Sequence, residues 1–74
     1  HFVSYKQEKY NEAARWIENA LKMDPSRAIA YLNLGDALAK AGETERAKLA
    51  YRTYLELAPN GAGVSYVKQQ LGGA

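Results

Sequence analysis

The sequence contains no cysteine and one histidine, His1. Without cysteine there is neither a disulfide framework nor a thiolate metal site, and the redox compartment stays open. A histidine at the chain end is more often a boundary residue than a ligand. Only two prolines occur, Pro25 and Pro59, so long stretches carry no helix breaker. No charge of one sign accumulates: ten basic and eight acidic residues are spread along the chain without a basic run. The pI near 9 therefore does not point to nucleic acid. No apolar run is long enough to cross a bilayer, and no signal-peptide pattern is present. The chain opens at His1 rather than methionine and enters at once on a helical pattern, FVSYKQ, as expected of a segment cut from a longer protein. At 74 residues it is one small domain, with a core that supplies only a few kcal/mol of net stability.

What the sequence has is self-similarity. A shift of 34 residues superposes Lys6 on Lys40, Ala13 on Ala47, Ile17 on Tyr51, Leu21 on Leu55, Met23 on Leu57 and Pro25 on Pro59. Ala13, Ile17, Ala20 and Leu21 fall at i, i+4, i+7 and i+8, as do Ala47, Tyr51, Tyr54 and Leu55, which makes the apolar stripe of an amphipathic helix. Tyr31, Leu34, Gly35 and Leu38 form a stripe of a second type.

Punctuation agrees with that reading. Asn11 and Thr44 can cap helix starts, Gly42 can take the left-handed conformation that ends a helix, and Pro25 and Pro59 stop continuation. Five helices are expected, at about 1–8, 11–23, 27–41, 45–57 and 63–71, with a flexible tail at 72–74.

Tyr31, Leu34, Gly35, Leu38, Ala47, Tyr51, Tyr54 and Pro59 follow an aromatic-x-x-Leu-Gly-x-x-large, Ala-x-x-x-aromatic, Pro signature. In this the chain resembles the tetratricopeptide repeat family. The resemblance implies an all-α, right-handed solenoid of antiparallel helical hairpins, spanning 1–71 as a single domain. Residues 28–61 resemble one complete repeat, 1–27 the later part of a preceding one, and 62–71 a capping helix, because the 34-residue shift fails after Pro59. One departure is Glu8, where the family pattern has the glycine found here at Gly42, so a looser first turn is expected. Gly35 costs about 1 kcal/mol relative to alanine inside a helix. A close crossing against Ala47 would explain it, with Gly35→Ala mild and Gly35→Leu severe.

Catalysis needs a nucleophile beside a base, paired carboxylates in a cleft or a metal set, and no such pattern is visible. No enzyme activity and no cofactor is expected. Six tyrosines at helical spacing read as core or groove lining, and Glu43 with Glu45 as charge suited to a helix start. Trp16 lies beside its helix's apolar stripe and has the small Ala50 as counterpart, so it reads as packing against a neighbour or as an outer protein contact.

The resemblance further implies a concave groove that takes a peptide or a helix of a partner protein. The positions carried over are Phe2, Tyr5 and Lys6, then Leu32, Asn33, Asp36, Ala39 and Lys40, with Tyr66 and Gln70 completing the set. Some family members clamp an acidic carboxyl terminus with lysine, asparagine and arginine. Only Asn33 matches that clamp here, Phe2 replaces a second asparagine and Asp36 adds a repelling carboxylate, so a mixed apolar and polar ligand is expected. The expected partner is another protein or peptide, not nucleic acid or membrane. The alternative is an architectural role, as the end of a longer repeat array or a homo-oligomer joined through the incomplete N-terminal hairpin.

Overall fold

A computed structural model describes residues 4–72, and each helix starts and stops for a local chemical reason. Helix α1 runs Tyr5–Met23. Its N-cap is Ser4, whose Oγ accepts the Gln7 N–H at 3.1 Å while Gln7 Oε1 accepts the Ser4 N–H at 3.2 Å. This reciprocal pair closes two otherwise orphaned donors. The break expected between residues 8 and 11 is absent: four helices, not five, are present among the described residues. Asn11 is an interior helical residue rather than a cap. No glycine or proline lies between residues 5 and 23, and at Glu8 the chain lacks the left-handed option that ends the next hairpin's first helix.

Helix α2, Ala28–Lys40, ends where Gly42 takes φ +86. There the Gly42 N–H donates to the Ala39 carbonyl at 3.1 Å, and the Glu43 N–H to the Leu38 carbonyl at 2.8 Å. These are the two bonds of a Schellman stop. Helix α3, Thr44–Leu57, follows immediately, with Glu43 at its N-cap and no side-chain cap bond from Thr44. Helix α4 is Val64–Gly72. Gly72 thus belongs to a helix rather than to the expected tail, and residues 73–74 lie outside the described residues.

Successive helices pack on one another: α1 on α2, α2 on α3 and α3 on α4. The core draws Ala14 and Leu21 from α1, Ala30, Leu34, Gly35, Ala37 and Leu38 from α2, Ala47, Ala50, Tyr51 and Tyr54 from α3, and Val67 from α4. Gly35 is required by this packing, but not by Ala47. A Cβ at position 35 would stand 2.5 Å from Cε1 of Tyr51, so an aromatic ring rests on the bare backbone of α2. The Tyr51 ring is 3% exposed, and its hydroxyl donates to Asp36 at 2.6 Å. It has little room to retreat, so alanine at position 35 is not the mild change expected from the sequence. Burying Tyr51 and Tyr54 stabilises by about 1.5–3 kcal/mol each, more than the glycine's propensity cost.

Candidate protein-binding groove

The outward side chains of α2 and the surfaces beside it make two clusters. The first joins α2 to α4. Asp36 Oδ1 accepts the hydroxyls of both Tyr51, at 2.6 Å, and Tyr66, at 2.5 Å. The two rings meet edge to face with centroids 6.4 Å apart. Tyr54 adds a second tie, its hydroxyl oxygen accepting the Gly63 N–H at 2.9 Å. Burial, reinforced by the bond to Asp36, pushes the Tyr51 phenol far above its ordinary value. The Asp36 bond, with some burial, raises Tyr66 as well. Both phenols are therefore protonated donors at neutral pH.

This cluster changes the reading of three expected groove residues. Asp36 is half-buried and turns one carboxylate oxygen to two tyrosines of its own chain. Tyr66, 42% exposed, is committed to holding α4 in place. Leu32 is half-buried and lies under the start of α4, where its Cδ1 would stand 2.5 Å from a Cβ at Gly63.

The second cluster lies where the N-terminal turns of α1 meet the end of α2. Tyr5, Lys6, Lys9, Tyr10 and Ala13 line a depression of about 450 Å³. Lys9 Nζ sits 5.6 Å from the Tyr5 ring centroid, and Lys40 Nζ 5.4 Å from that of Tyr10, which are cation–π distances. Lys6 and Tyr5 are thus brought near the end of α2, but on the continuous α1 rather than on a separate first helix. Lys9 had no place in the sequence reading, and Tyr10 entered it only as one of six tyrosines read as core or groove lining, not as a named groove position. The signal for Tyr10 was its distance of three residues from Ala13, on the same side of α1.

Asn33, Ala39 and Gln70 are exposed, and no side-chain hydrogen bond of Asn33 or Gln70 occurs among the described residues. Phe2 lies outside the described residues. A further hollow of about 230 Å³ opens between α1 and α3, floored by Tyr31, Leu34 and Leu38 of α2. It is rimmed by the Arg46–Glu18 ion pair at 2.6 Å.

Among the described residues no cluster of three His, Cys, Asp or Glu side chains could hold a metal ion, and no helix is long and apolar enough to cross a membrane. The tetratricopeptide repeat family model matches residues 4–62, and the chain belongs to that family. Comparison with curated proteins and with solved structures gives no match. Tetratricopeptide repeats are generally protein–protein interaction modules and typically non-catalytic.

Proposed function

We propose that the outward face of α2 takes an extended peptide or a helix of a partner protein, with no chemistry performed on it. The observation that carries this reading is Asn33: an exposed carboxamide, unengaged within the described chain, beside the rigid Asp36 cluster. A carboxamide both donates and accepts, which suits the backbone of a bound segment. Asp36 and Tyr66 hold the floor and the cap in register, while Asn33, Ala39, Lys40 and Gln70 meet the ligand. Lys6, Lys40 and the Tyr5 and Tyr10 rings extend the surface at the other end and favour a segment with an acidic or aromatic residue there.

Calorimetric titration with the natural partner tests this. Asn33→Ala removes an amide worth about 1–3 kcal/mol in a desolvated site, so affinity should fall roughly five- to a hundredfold with helical content unchanged. Arg52→Glu, exposed on α3, is the control and should change affinity only through a salt-dependent term. Affinity lost with Arg52→Glu and kept with Asn33→Ala would move the site off this face.

A second reading, a segment within a longer repeat array, is favoured by α1. Ala13 and Ile17 are only half-buried and Ala20 is exposed, although their counterparts in α3, Ala47, Tyr51 and Tyr54, are buried. A chain extended upstream by one helix of the α2 type should melt higher; unchanged melting would refute this reading.

A further inference from the structure

Three lysines gather where the start of α1 meets the end of α2. Lys6 and Lys9 line the depression of about 450 Å³ with Tyr5, Tyr10 and Ala13, and at helical spacing they flank the line through Ala13. Lys40 arrives from α2, its Nζ over the Tyr10 ring as the Lys9 Nζ is over that of Tyr5. Gln7 ties the junction together, its Nε2 lying 3.0 Å from where a Cβ on Gly42 would stand. The carboxylates nearest in the chain are Glu8, Glu12, Asp36 and Glu43. Asp36 is taken up by Tyr51 and Tyr66, none of the four lines the depression, and none pairs with a lysine among the described residues. The depression falls within the roughly 300–1,000 Å³ of small-ligand sites. Its walls are two rings and a methyl group, and the charge around it is all of one sign.

We propose that this depression takes a phosphotyrosine side chain of the partner segment, an inference that rests on the reading of the outward face of α2 as a peptide-binding surface. A lone carboxylate would match one of the three cations. A phosphate monoester carries about −1.5 to −2 at neutral pH and three acceptor oxygens, which suits all three lysines. The cation–π contacts hold Lys9 and Lys40 in place before anything binds, so less side-chain freedom is lost on association. What carries the phosphate has to be apolar and flat, because Tyr5, Tyr10 and Ala13 form the walls. An aryl ring packs against them, whereas phosphoserine offers a single carbon. Lys40 lies seven residues from Asn33, about 10 Å along α2, which is the reach of about three extended residues. The partner's phosphotyrosine therefore stands about three residues from the one whose backbone meets Asn33.

The probe is N-acetyl-O-phosphotyrosine amide, titrated into the 74-residue chain at low salt and followed through the backbone amide resonances. A single residue binds weakly, with Kd on the order of 1 mM, and the shifts should centre on residues 5–13 and Lys40. The unphosphorylated amide, the phosphoserine and glutamate analogues and inorganic phosphate should each bind about fivefold or more weakly. Lys6→Gln and Lys40→Gln should each weaken binding about threefold, and Lys22→Gln, in the last turn of α1, should not. Tyr5→Ala should weaken it and Tyr5→Phe should keep it, with circular dichroism unchanged because Tyr5 is 77% exposed. Inorganic phosphate or the glutamate analogue binding as well as the probe overturns the proposal, as does an affinity that Lys40→Gln leaves unaltered. Tighter binding by adenosine monophosphate overturns it in favour of a nucleotide. Asn33→Ala should leave the Kd of this probe unchanged, so the two readings fail separately. Absence of probe binding, with Asn33→Ala still weakening the natural partner, sinks the phosphotyrosine site and keeps the α2 face.

Discussion

Helices α1 and α3 carry the same stripe of the 34-residue repeat in different surroundings. In α3 the stripe is Ala47, Tyr51 and Tyr54, each under 5% exposed, pressed onto α2 on one side while α4 covers the next. In α1 the corresponding Ala13, Ile17 and Ala20 are half-buried to exposed, and the order reverses only at the fourth position of the stripe, where Leu21 is buried and its counterpart Leu55 half-buried. A helix of this type is built to lie between two partners, and among the described residues α1 packs on α2 and reaches α3 through the exposed Arg46–Glu18 ion pair. Position in the stack therefore decides what the same pattern contributes to stability.

The sharpest way to break the comparison is at the helix crossing. Gly35→Leu should destabilise by more than about 3 kcal/mol, beyond ordinary overpacking, because Tyr51 already occupies the place of its Cβ. Gly35→Ala should cost about 1–3 kcal/mol for the same reason. Denaturant melts decide it, and a Gly35→Ala chain as stable as the parent would mean that the Tyr51 ring shifts freely.

A matched pair sharpens it further. Ala47→Leu, at a site 2% exposed, should lose about 1–3 kcal/mol, whereas Ala13→Leu at the equivalent place in α1 should stay within about 0.5 kcal/mol. Equal losses would show that the α1 stripe is as tightly packed as that of α3.

The tyrosine cluster is next. Asp36→Ala leaves the buried Tyr51 hydroxyl without its acceptor and should cost about 1–3 kcal/mol, while Tyr66→Phe, at the exposed partner, should cost about 0.5–1.5 kcal/mol. The same cluster sets an alkaline limit. Tyr51 has a folded pKa raised above its unfolded value, so its contribution is complete below about pH 10 and is lost as pH rises beyond that. Spectrophotometric titration should find Tyr51 ionising only together with unfolding; an early tyrosinate signal assigned to it in the folded chain would contradict the burial argument.

The smallest effect belongs to the bridge between the two compared helices. Arg46→Ala removes an exposed ion pair to Glu18 and should change stability by less than about 1 kcal/mol, vanishing in high salt. A larger, salt-independent loss would mean that Arg46 packs over the hollow between α1 and α3 more than it pairs.

The 34-residue period, the stripes at helical spacing, Pro25, Pro59 and Gly42 were enough to place helices at about 11–23, 27–41, 45–57 and 63–71, because each signal acts within a turn or two of its own residue, while the same reading wrongly set a fifth apart at about 1–8. The continuity of α1 was also written locally, in the Ser4–Gln7 capping box and in the absence of glycine before Asn11, but the repeat pattern argued for a break there. Tertiary structure alone decided the rest. Which side chain rests on Gly35, that Asp36 accepts from two tyrosines of its own chain, that Leu32 lies beneath Gly63, and that Lys40 reaches Tyr10 all depend on contacts between residues up to 31 apart in the chain. Such contacts are fixed by how rings and hydroxyls fill the space between helices, and a periodicity that names the face of each helix does not specify which partner fills it.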